Sequence, residues 1–379
     1  GRVLSPLDLG SVRAALAQLR AQQVESVAIC LLNSFENPAH EFEIKRLAAE
    51  ELPGVSVSVS YEVLPQIREY ERTSTTVTNA YVKPLTERYL SRLRERLGEM
   101  GFGGRLFIML SSGGVTSAQT AAQFPVRIIE SGPTAAVIAA EYFSKLFATP
   151  DMFAFDMGGT TAKSCLIQNG VAGVVPSFEV GRVQRFQKGS GLTIQVPVVD
   201  LMEIGAGGGS IARASRLGTL QVGPESASAE PGPICYGRGG TRVTVTDANL
   251  VLGYLNPKAL CGGALEIHWD GVEDALREQV AAPLGLSVIE AAAGIHRLTN
   301  ANMNNAIRRV SSEKGHDPRK FDLVAFGGGG PTHATAQALE LGIDRIVVPR
   351  LSPVLSAYGT LTADFVVNQV HAHISEVAL

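Results

Sequence analysis

The stretch that most constrains this chain is Phe153-Ala154-Phe155-Asp156-Met157-Gly158-Gly159-Thr160-Thr161-Ala162-Lys163-Ser164-Cys165-Leu166-Ile167. An apolar strand runs into an Asp, turns through two glycines and two threonines, and leaves as a second strand. Backbone N–H groups and hydroxyls then surround one small concavity, which is how a chain holds a phosphate. Glycine lets the backbone reach positive φ and approach an anion, successive N–H groups form an anion nest, and the carboxylate of Asp156 is placed to hold Mg²⁺ directly or through water. The competing reading is an ordinary β-hairpin in which Gly158-Gly159 is only a turn. The rest of the chain has to decide between them.

With 379 residues, 45% hydrophobic and 18% charged, the chain can bury a large core and is expected to form two or three domains. A net charge of -3 and the lack of a long basic run argue against a nucleic-acid partner. The forty glycines gather at Gly113-Gly114, Gly158-Gly159, Gly205 to Gly209 and Gly327 to Gly330, as loops that approach a ligand would. Cys30, Cys165, Cys235 and Cys261 show no C-x-x-C spacing, and Cys30 and Cys165 fall in apolar runs, so a reduced, cytoplasmic protein with buried thiols is expected. No apolar run reaches membrane-spanning length and no signal peptide opens the chain, so no membrane partner is expected. The opening Gly1-Arg2-Val3-Leu4 lacks a Met and reads as part of something longer.

Helical spacing of Val12, Ala15, Leu16 and Leu19 feeds the apolar run Val24 to Leu32. A second helix over Ile44 to Leu52 feeds an alternating strand at Val55, Val57 and Val59, which sets an α/β architecture from the start. Tyr61 to Thr76 reads as a charged loop, followed by a helix marked by Leu85, Tyr89, Leu93 and Leu97. The buried strand Arg105 to Leu110 empties into Ser111-Ser112-Gly113-Gly114. Strand ends of this kind are where open α/β sheets bind ligands, so Ser112, Gly113 and Gly114 are substrate candidates beside the plain-turn alternative. Ser131 and Pro133 open a helix whose start either binds an anion or is simply capped. The expected lobes are 1–150 and 151–379, with a turn-rich β insertion at about 168–245 inside the second.

Within that insertion, Gly205-Ala206-Gly207-Gly208-Gly209-Ser210 contains G-x-G, but no βαβ unit surrounds it, which excludes a dinucleotide site. It reads as a flexible loop closing on substrate or phosphate, with Glu203 and Ser210 at its ends. Cys235 is a ligand or nucleophile candidate, but no His or second Cys stands nearby and a structural role is favoured. Asp247 opens a short helix as either a metal ligand or an N-cap. After a long helix over Ser287 to Ser312, the buried strand Asp322 to Phe326 enters Gly327-Gly328-Gly329-Gly330-Pro331-Thr332-His333. This loop suits an adenosine or phosphate contact, and His333 either orients substrate, touches phosphate or packs in the first helical turn.

Six ordered motifs carry a resemblance that covers essentially the whole chain. They are Phe155 to Lys163, Glu203 to Ala212, Val222 to Ser226, Pro231 to Gly240, Thr246 to Gly253 and Phe326 to Pro331. Together they resemble the hydantoinase A / 5-oxoprolinase family. The resemblance implies actin-like ATPase lobes of ribonuclease-H type that clamp ATP and Mg²⁺. It matches Asp156 to Lys163 to a phosphate hairpin, with Gly158, Gly159, Thr160 and Thr161 around the phosphates, and Gly327 to Gly330 to the loop near adenosine. The implied chemistry moves the γ-phosphoryl group of ATP to the oxygen of a cyclic amide, which water then opens. Positioning and charge neutralisation by Mg²⁺, hairpin N–H groups and Lys163 would supply the catalysis. The implied partners are a small cyclic amide and a second, hydantoinase B-type subunit or domain, in an oligomer.

The pattern departs from the family in one respect: complete members open with a further Asp-x-Gly-Gly-Thr-x-Thr-Asp loop, and nothing before Phe153 supplies it. The chain is therefore expected to be a central piece that does not hydrolyse ATP efficiently alone. Two alternatives stand: the ATP-binding subunit of a ketone carboxylase, and a non-catalytic nucleotide-binding or assembly module.

Overall fold

A computed structural model describes residues 1–183, 189–258, 263 and 265–370; Cys261 lies outside them. The chain forms two compact units, one built from 1–134, 174–199 and the described residues from Ala363 on, the other from 135–173 and 200–362. The division therefore falls at Thr134/Ala135, inside the helix Ser131–Leu146, and not near residue 150. Part of the expected insertion also belongs to the first unit, for a packing reason. Val198–Val199 pairs antiparallel with Val174–Val175, and Ile194 and Val196 share a small core with Val63, Leu64 and Val126.

In the first unit, Asp8 caps α1 (Leu9–Ala21) by accepting from the N–H groups of Gly10 and Ser11. The strands β1 (Ser26–Ile29) and β2 (Ser56–Val59) run parallel, joined through α2 (Ala39–Glu51). Leu16, Leu47, Ala48 and Leu52 pack between helices and strands. The expected loop at Tyr61 to Thr76 is instead largely helical, because α3 spans Glu69–Glu99. One of its charges is spent inside the fold: Arg72 is fully buried and donates to Glu69, to Ser34 and to the Leu31 carbonyl. Ser112, Gly113 and Gly114 form the turn between β3 (Phe107–Met109) and β4 (Val115–Ser117). Gly114 is required there, since at φ +77° a Cβ would stand 2.3 Å from Val366.

The second unit follows α4 (Ser131–Leu146) with β5 (Met152–Met157) and β6 (Ala162–Gln168), an antiparallel pair. Next come β7 (Met202–Ile204), the antiparallel pair β8 (Ser210–Ala214) and β9 (Leu220–Ser226), and the short helix α5 (Val245–Val251). Then α6 (Val288–Val310) precedes β10 (Asp322–Phe326), α7 (Gly330–Leu341), β11 (Ile346–Val347) and α8 (Leu355–Thr362). The central sheet has the order β7-β6-β5-β10-β11, antiparallel through the first three strands and parallel from β5 onward. In order of appearance that is 3-2-1-4-5, the arrangement of a ribonuclease-H-like lobe.

Burial explains the sequence of the central strands. Phe153, Phe155, Leu323 and Ala325 are at most 2% exposed, and a strand covered on both faces reads as a continuous apolar run. The helix α6 starts at a capping box between Ser287 and Glu290 and lays Ala291, Ala292, Ile295, Met303 and Ile307 against that core. Truncating Phe155 to Ala would cost about 3–5 kcal/mol at such a site.

Candidate functional site

The carboxyl ends of β5 and β10 lie side by side, with Asp156 in register with Phe326, so both strands open into glycine at the same level. Crevices outside such strand ends are where α/β sheets bind ligands. Gly327 turns there with φ +78°, and a Cβ on it would stand 2.3 Å from Oδ1 of Asp156 and 2.5 Å from the Met157 carbonyl. Only glycine fits both the angle and the space.

The hairpin Gly158-Gly159-Thr160-Thr161 is closed by the Gly158 N–H donating to the Thr161 carbonyl at 3.0 Å. On its outer side, successive carbonyls are taken by the flanking loops. Met157 accepts from Gly329 at 2.9 Å, Gly158 from Gly208 at 3.1 Å and Gly159 from Gly209 at 2.6 Å. In a trans peptide the N–H points opposite to the C=O of the same unit. The N–H groups of Gly159 and Thr160 therefore face away from Gly205–Gly209, and neither meets a protein acceptor among the described residues. A Cβ at Gly159 would touch nothing within 4 Å, so the backbone there is open to a ligand. Neither hairpin glycine has positive φ; what they supply is a bare surface, contrary to the conformational reason expected of them.

Burial pushes the Asp156 carboxyl above its usual range, and the charge of Lys163 opposes that shift. Lys163 is the cross-strand partner of both Asp156 and Glu203; its Nζ lies 3.2 Å from Glu203 and donates to the Thr161 hydroxyl at 3.1 Å. The pair with Glu203 is partly exposed and worth about 0–1 kcal/mol, so it orients Lys163 more than it stabilises the fold. Beyond the hairpin, α7 begins at Gly330 with no side-chain cap, and a Cβ on Gly330 would stand 3.6 Å from the carbonyl of Phe155, the residue before Asp156. One carboxylate, one lysine, open hairpin amides and a helix start thus meet at one place. That set can hold an anion with an accompanying divalent cation, since Mg²⁺ commonly takes one or two carboxylates and fills its other positions with water and phosphate oxygen.

Other expected site residues lie elsewhere. Gly207 and Gly208 do not present their N–H groups to the crevice: Gly207 donates to the Ser210 hydroxyl at 2.9 Å and Gly208 to the hairpin. That loop is a buttress, and Ser210 is fully buried beneath it, out of a substrate's reach. Asp247 is also fully buried, with its oxygens taken by the N–H groups of Ile234, Cys235 and Thr244 and by the Thr244 hydroxyl. It is a cap, and this corrects its reading as a metal ligand; among the described residues no cluster of three His, Cys, Asp or Glu could hold a metal. Cys235 is buried beside it, and desolvation and that carboxylate push its thiol up, opposite to what a nucleophile needs.

His333 is wholly buried, held by Asn249 at 3.1 Å and Asn300 at 2.9 Å, and burial and then the neighbouring His296 lower its pKa to about 3. It does not touch the crevice as a substrate ligand. Ser112, Gly113 and Gly114 belong to the other unit. Reading the sequence missed Thr246, whose N–H and hydroxyl both donate to the Gly208 carbonyl at 2.8 Å, and Ser352, which accepts from Gly327 at 2.9 Å. Thr246 stands next to Asp247 in a motif already singled out, and attention to the acid hid it.

The hydantoinase/oxoprolinase family model matches residues 72–369, and that of its N-terminal region matches 1–52. Caprolactamase subunit alpha of Pseudomonas jessenii is 40% identical over 370 residues, covering 98% of this chain and 52% of its own length. A crystal structure of ATP-dependent caprolactamase from that organism aligns with a TM-score of 0.78 at 40% identity, over 96% of this chain and 52% of the other. A nucleotide-free structure of acetone carboxylase aligns with a TM-score of 0.81 at 31% identity, over 96% and 50%. The 5-oxoprolinase of Saccharomyces cerevisiae is 32% identical over 381 residues, 96% of this chain and 28% of its own. The chain thus spans about half the length of the first curated relatives it matches. With the match running through the hairpin, both glycine loops and the sheet that carries them, the chain belongs to the hydantoinase/oxoprolinase family.

Proposed function

We propose that this chain carries the phosphate-binding unit of an enzyme that couples ATP hydrolysis to opening a cyclic amide. The observation behind it is the hairpin that follows β5, where the N–H groups of Gly159 and Thr160 meet no protein acceptor among the described residues and the strand end of β10 lies in register with Asp156. Bare backbone over Gly159 leaves room for a phosphate, and the residues present fit the nucleotide that the caprolactamase relative depends on. In this reading Asp156 holds Mg²⁺ through oxygen, and Lys163 with the hairpin amides of Gly159, Thr160 and Thr161 neutralises phosphate charge. Gly327, Gly328, Gly329 and Gly330 line the nucleotide side.

Bound Mg-ATP would supply the phosphoryl group that, placed on the amide oxygen, opens the carbonyl carbon to water so that the ring C–N bond can break, the nitrogen leaving as the amine and the phosphate being released by hydrolysis. The protein's part is to orient the phosphates and exclude competing water. Glu203 acts through Lys163. A second subunit or domain completes the enzyme, as the name of caprolactamase subunit alpha implies for that relative. Among the described residues no helix is long and apolar enough to cross a membrane, and Cys30, Cys165 and Cys235 are free thiols; we place the protein in the cytoplasm.

The structural likeness to acetone carboxylase supports a second reading, in which the same unit activates a ketone for carboxylation. Substrate-dependent ADP release by the full-length protein separates the two, with caprolactam, 5-oxoproline and hydantoin in one series and acetone and acetophenone in the other. Asp156→Ala is expected to lower that release at least about a hundredfold, as loss of a residue holding the phosphates' counter-charge does. Undiminished release in a folded Asp156→Ala protein would overturn the assignment of the crevice.

A further inference from the structure

Behind the crevice lies a run of buried amides and imidazoles that the reaction does not use. His296 Nδ1 is 2.8 Å from Oδ1 of Asn249, Nδ2 of Asn249 is 3.1 Å from Nε2 of His333, and Nδ1 of His333 is 2.9 Å from Oδ1 of Asn300. The two imidazoles stack with centroids 4.5 Å apart. None of the four side chains' residues is more than 8% exposed. The donors and acceptors assign one consistent set of protons. The Asn249 amide accepts from His296 and donates to His333, so Nε2 of His333 carries a lone pair and its Nδ1 carries the hydrogen given to Asn300. Burial lowers the pKa of both imidazoles, which favours their neutral forms.

The placement of the four residues gives this run a purpose. Asn249 sits on α5, three residues after Thr246, which grips the Gly208 carbonyl twice. His333 sits in the first turn of α7, three residues after Gly330. His296 and Asn300 are one turn apart on α6 and serve as the fixed side. The bond between Asn249 and His333 therefore links the segment that holds one glycine loop to the segment that begins in the other.

We propose that Asn249, His296, Asn300 and His333 are positioning residues, a neutral hydrogen-bonded ladder that sets the spacing between the Gly207–Gly209 and Gly327–Gly330 loops on either side of the hairpin. Its purpose rests on the phosphate-binding reading above; its existence does not. Apolar packing would hold α5, α6 and α7 together but would tolerate sliding, whereas fully satisfied polar networks specify one geometry. The ladder thus keeps Gly208, Gly209 and Gly329 at the distances at which all three amides reach the hairpin carbonyls.

The test is hydrogen–deuterium exchange on the full-length protein, comparing peptides over 205–210 and 327–331 with peptides over 152–156 and 322–326. Asn249→Leu keeps the branching at Cγ and removes both of its bonds. It is expected to speed exchange in both loops together by about tenfold, the scale of one or two lost hydrogen bonds, and to leave the two strands unchanged. His333→Gln puts a carbonyl oxygen where Nε2 stood, keeps the bond to Asn249 and loses the one to Asn300, and should speed loop exchange severalfold less than Asn249→Leu, while His333→Asn cannot reach Asn249 and should behave like Asn249→Leu. Affinity for a non-hydrolysable ATP analogue should follow the same order, weakened about tenfold in His333→Asn.

Unchanged loop exchange in Asn249→Leu, a change in one loop alone, or equal behaviour of the Gln and Asn variants would overturn the ladder. Should Asn249→Leu fail to fold, the Gln and Asn pair decides. A wild type that shows the exchange pattern but binds no nucleotide would sink the phosphate reading and leave the ladder standing.

Discussion

The two glycine-rich loops of the second unit, Gly205–Gly209 and Gly327–Gly330, look interchangeable in sequence and do opposite work. In the first, side chains are excluded because the hairpin presses on the loop. A Cβ at Gly207 would stand 2.6 Å from the Gly159 carbonyl, and the N–H groups of Gly208 and Gly209 are consumed in holding that hairpin. In the second, Gly327 is needed so that the chain can turn past the Asp156 carboxylate, and the loop ends as the start of a helix. One loop supports the hairpin from outside and the other turns past its Asp156. Glycine content alone signals close approach, and it takes the neighbour's identity to say whether a ligand or the protein itself is approached.

Substitutions can break that comparison, and Gly327→Ala should have the largest effect. It combines positive φ with a sub-van-der-Waals contact to backbone and to Asp156, so a stability loss of about 2–4 kcal/mol and loss of nucleotide binding are expected from thermal melts and titration. A near-wild-type melting temperature would show that the wall is softer than its geometry implies. Next come Gly207→Ala and Gly159→Ala as a pair. The first should cost about 1–3 kcal/mol because a backbone carbonyl must move. The second, facing open space, should stay within about 0.5 kcal/mol in stability while weakening nucleotide binding severalfold. If the two melt alike, the distinction between buttress and open face fails.

The smallest effect concerns Asp156 and pH. Burial raises its folded-state pKa, so the folded protein binds the proton more tightly than the unfolded chain does. Stability is then lost as pH rises from the unfolded value through the folded one, and it stays lost at neutrality. Asp156→Asn, measured with a chelator present, should therefore melt at a higher temperature than wild type at pH 7. The gap should shrink towards about pH 3.5, below the unfolded aspartate value. A lower melting temperature at pH 7 would mean that Lys163 outweighs desolvation at this carboxylate.

Much of the second unit was legible because its strands are covered on both faces. Phe153 to Phe155 and Leu323 to Phe326 announce themselves as apolar runs, and the capping box at Ser287 marks the start of α6. The first unit was harder, since the start of α3 puts Arg72, Thr75, Thr76 and Asn79 inside. Polar residues that are satisfied internally carry no periodic hydrophobic signal, so a helix there reads as a loop. The turn after β5 was legible as a turn, but the reason for its glycines was not, since neither Gly158 nor Gly159 has positive φ and Gly207 and Gly208 spend their N–H groups inside the protein. Asp247, Ser210 and His333 were misread because a buried polar side chain that satisfies backbone looks in sequence like one that awaits a ligand. Only the donors around it tell the two apart, as the N–H groups of Ile234, Cys235 and Thr244 do for Asp247.

The carbonyls of Met157, Gly158 and Gly159 are all spoken for by the protein, and this has an experimental cost. What the crevice offers an anion is then largely main chain, which has no ionisable state between acid and alkali and no side chain to remove. An alanine scan of residues 156–163 would report it only indirectly, through the bulk that Gly159→Ala adds, and would credit Asp156 and Lys163 with most of the rest. Replacing single peptide bonds with esters, which delete an N–H and keep the shape, would weigh the main chain's share directly.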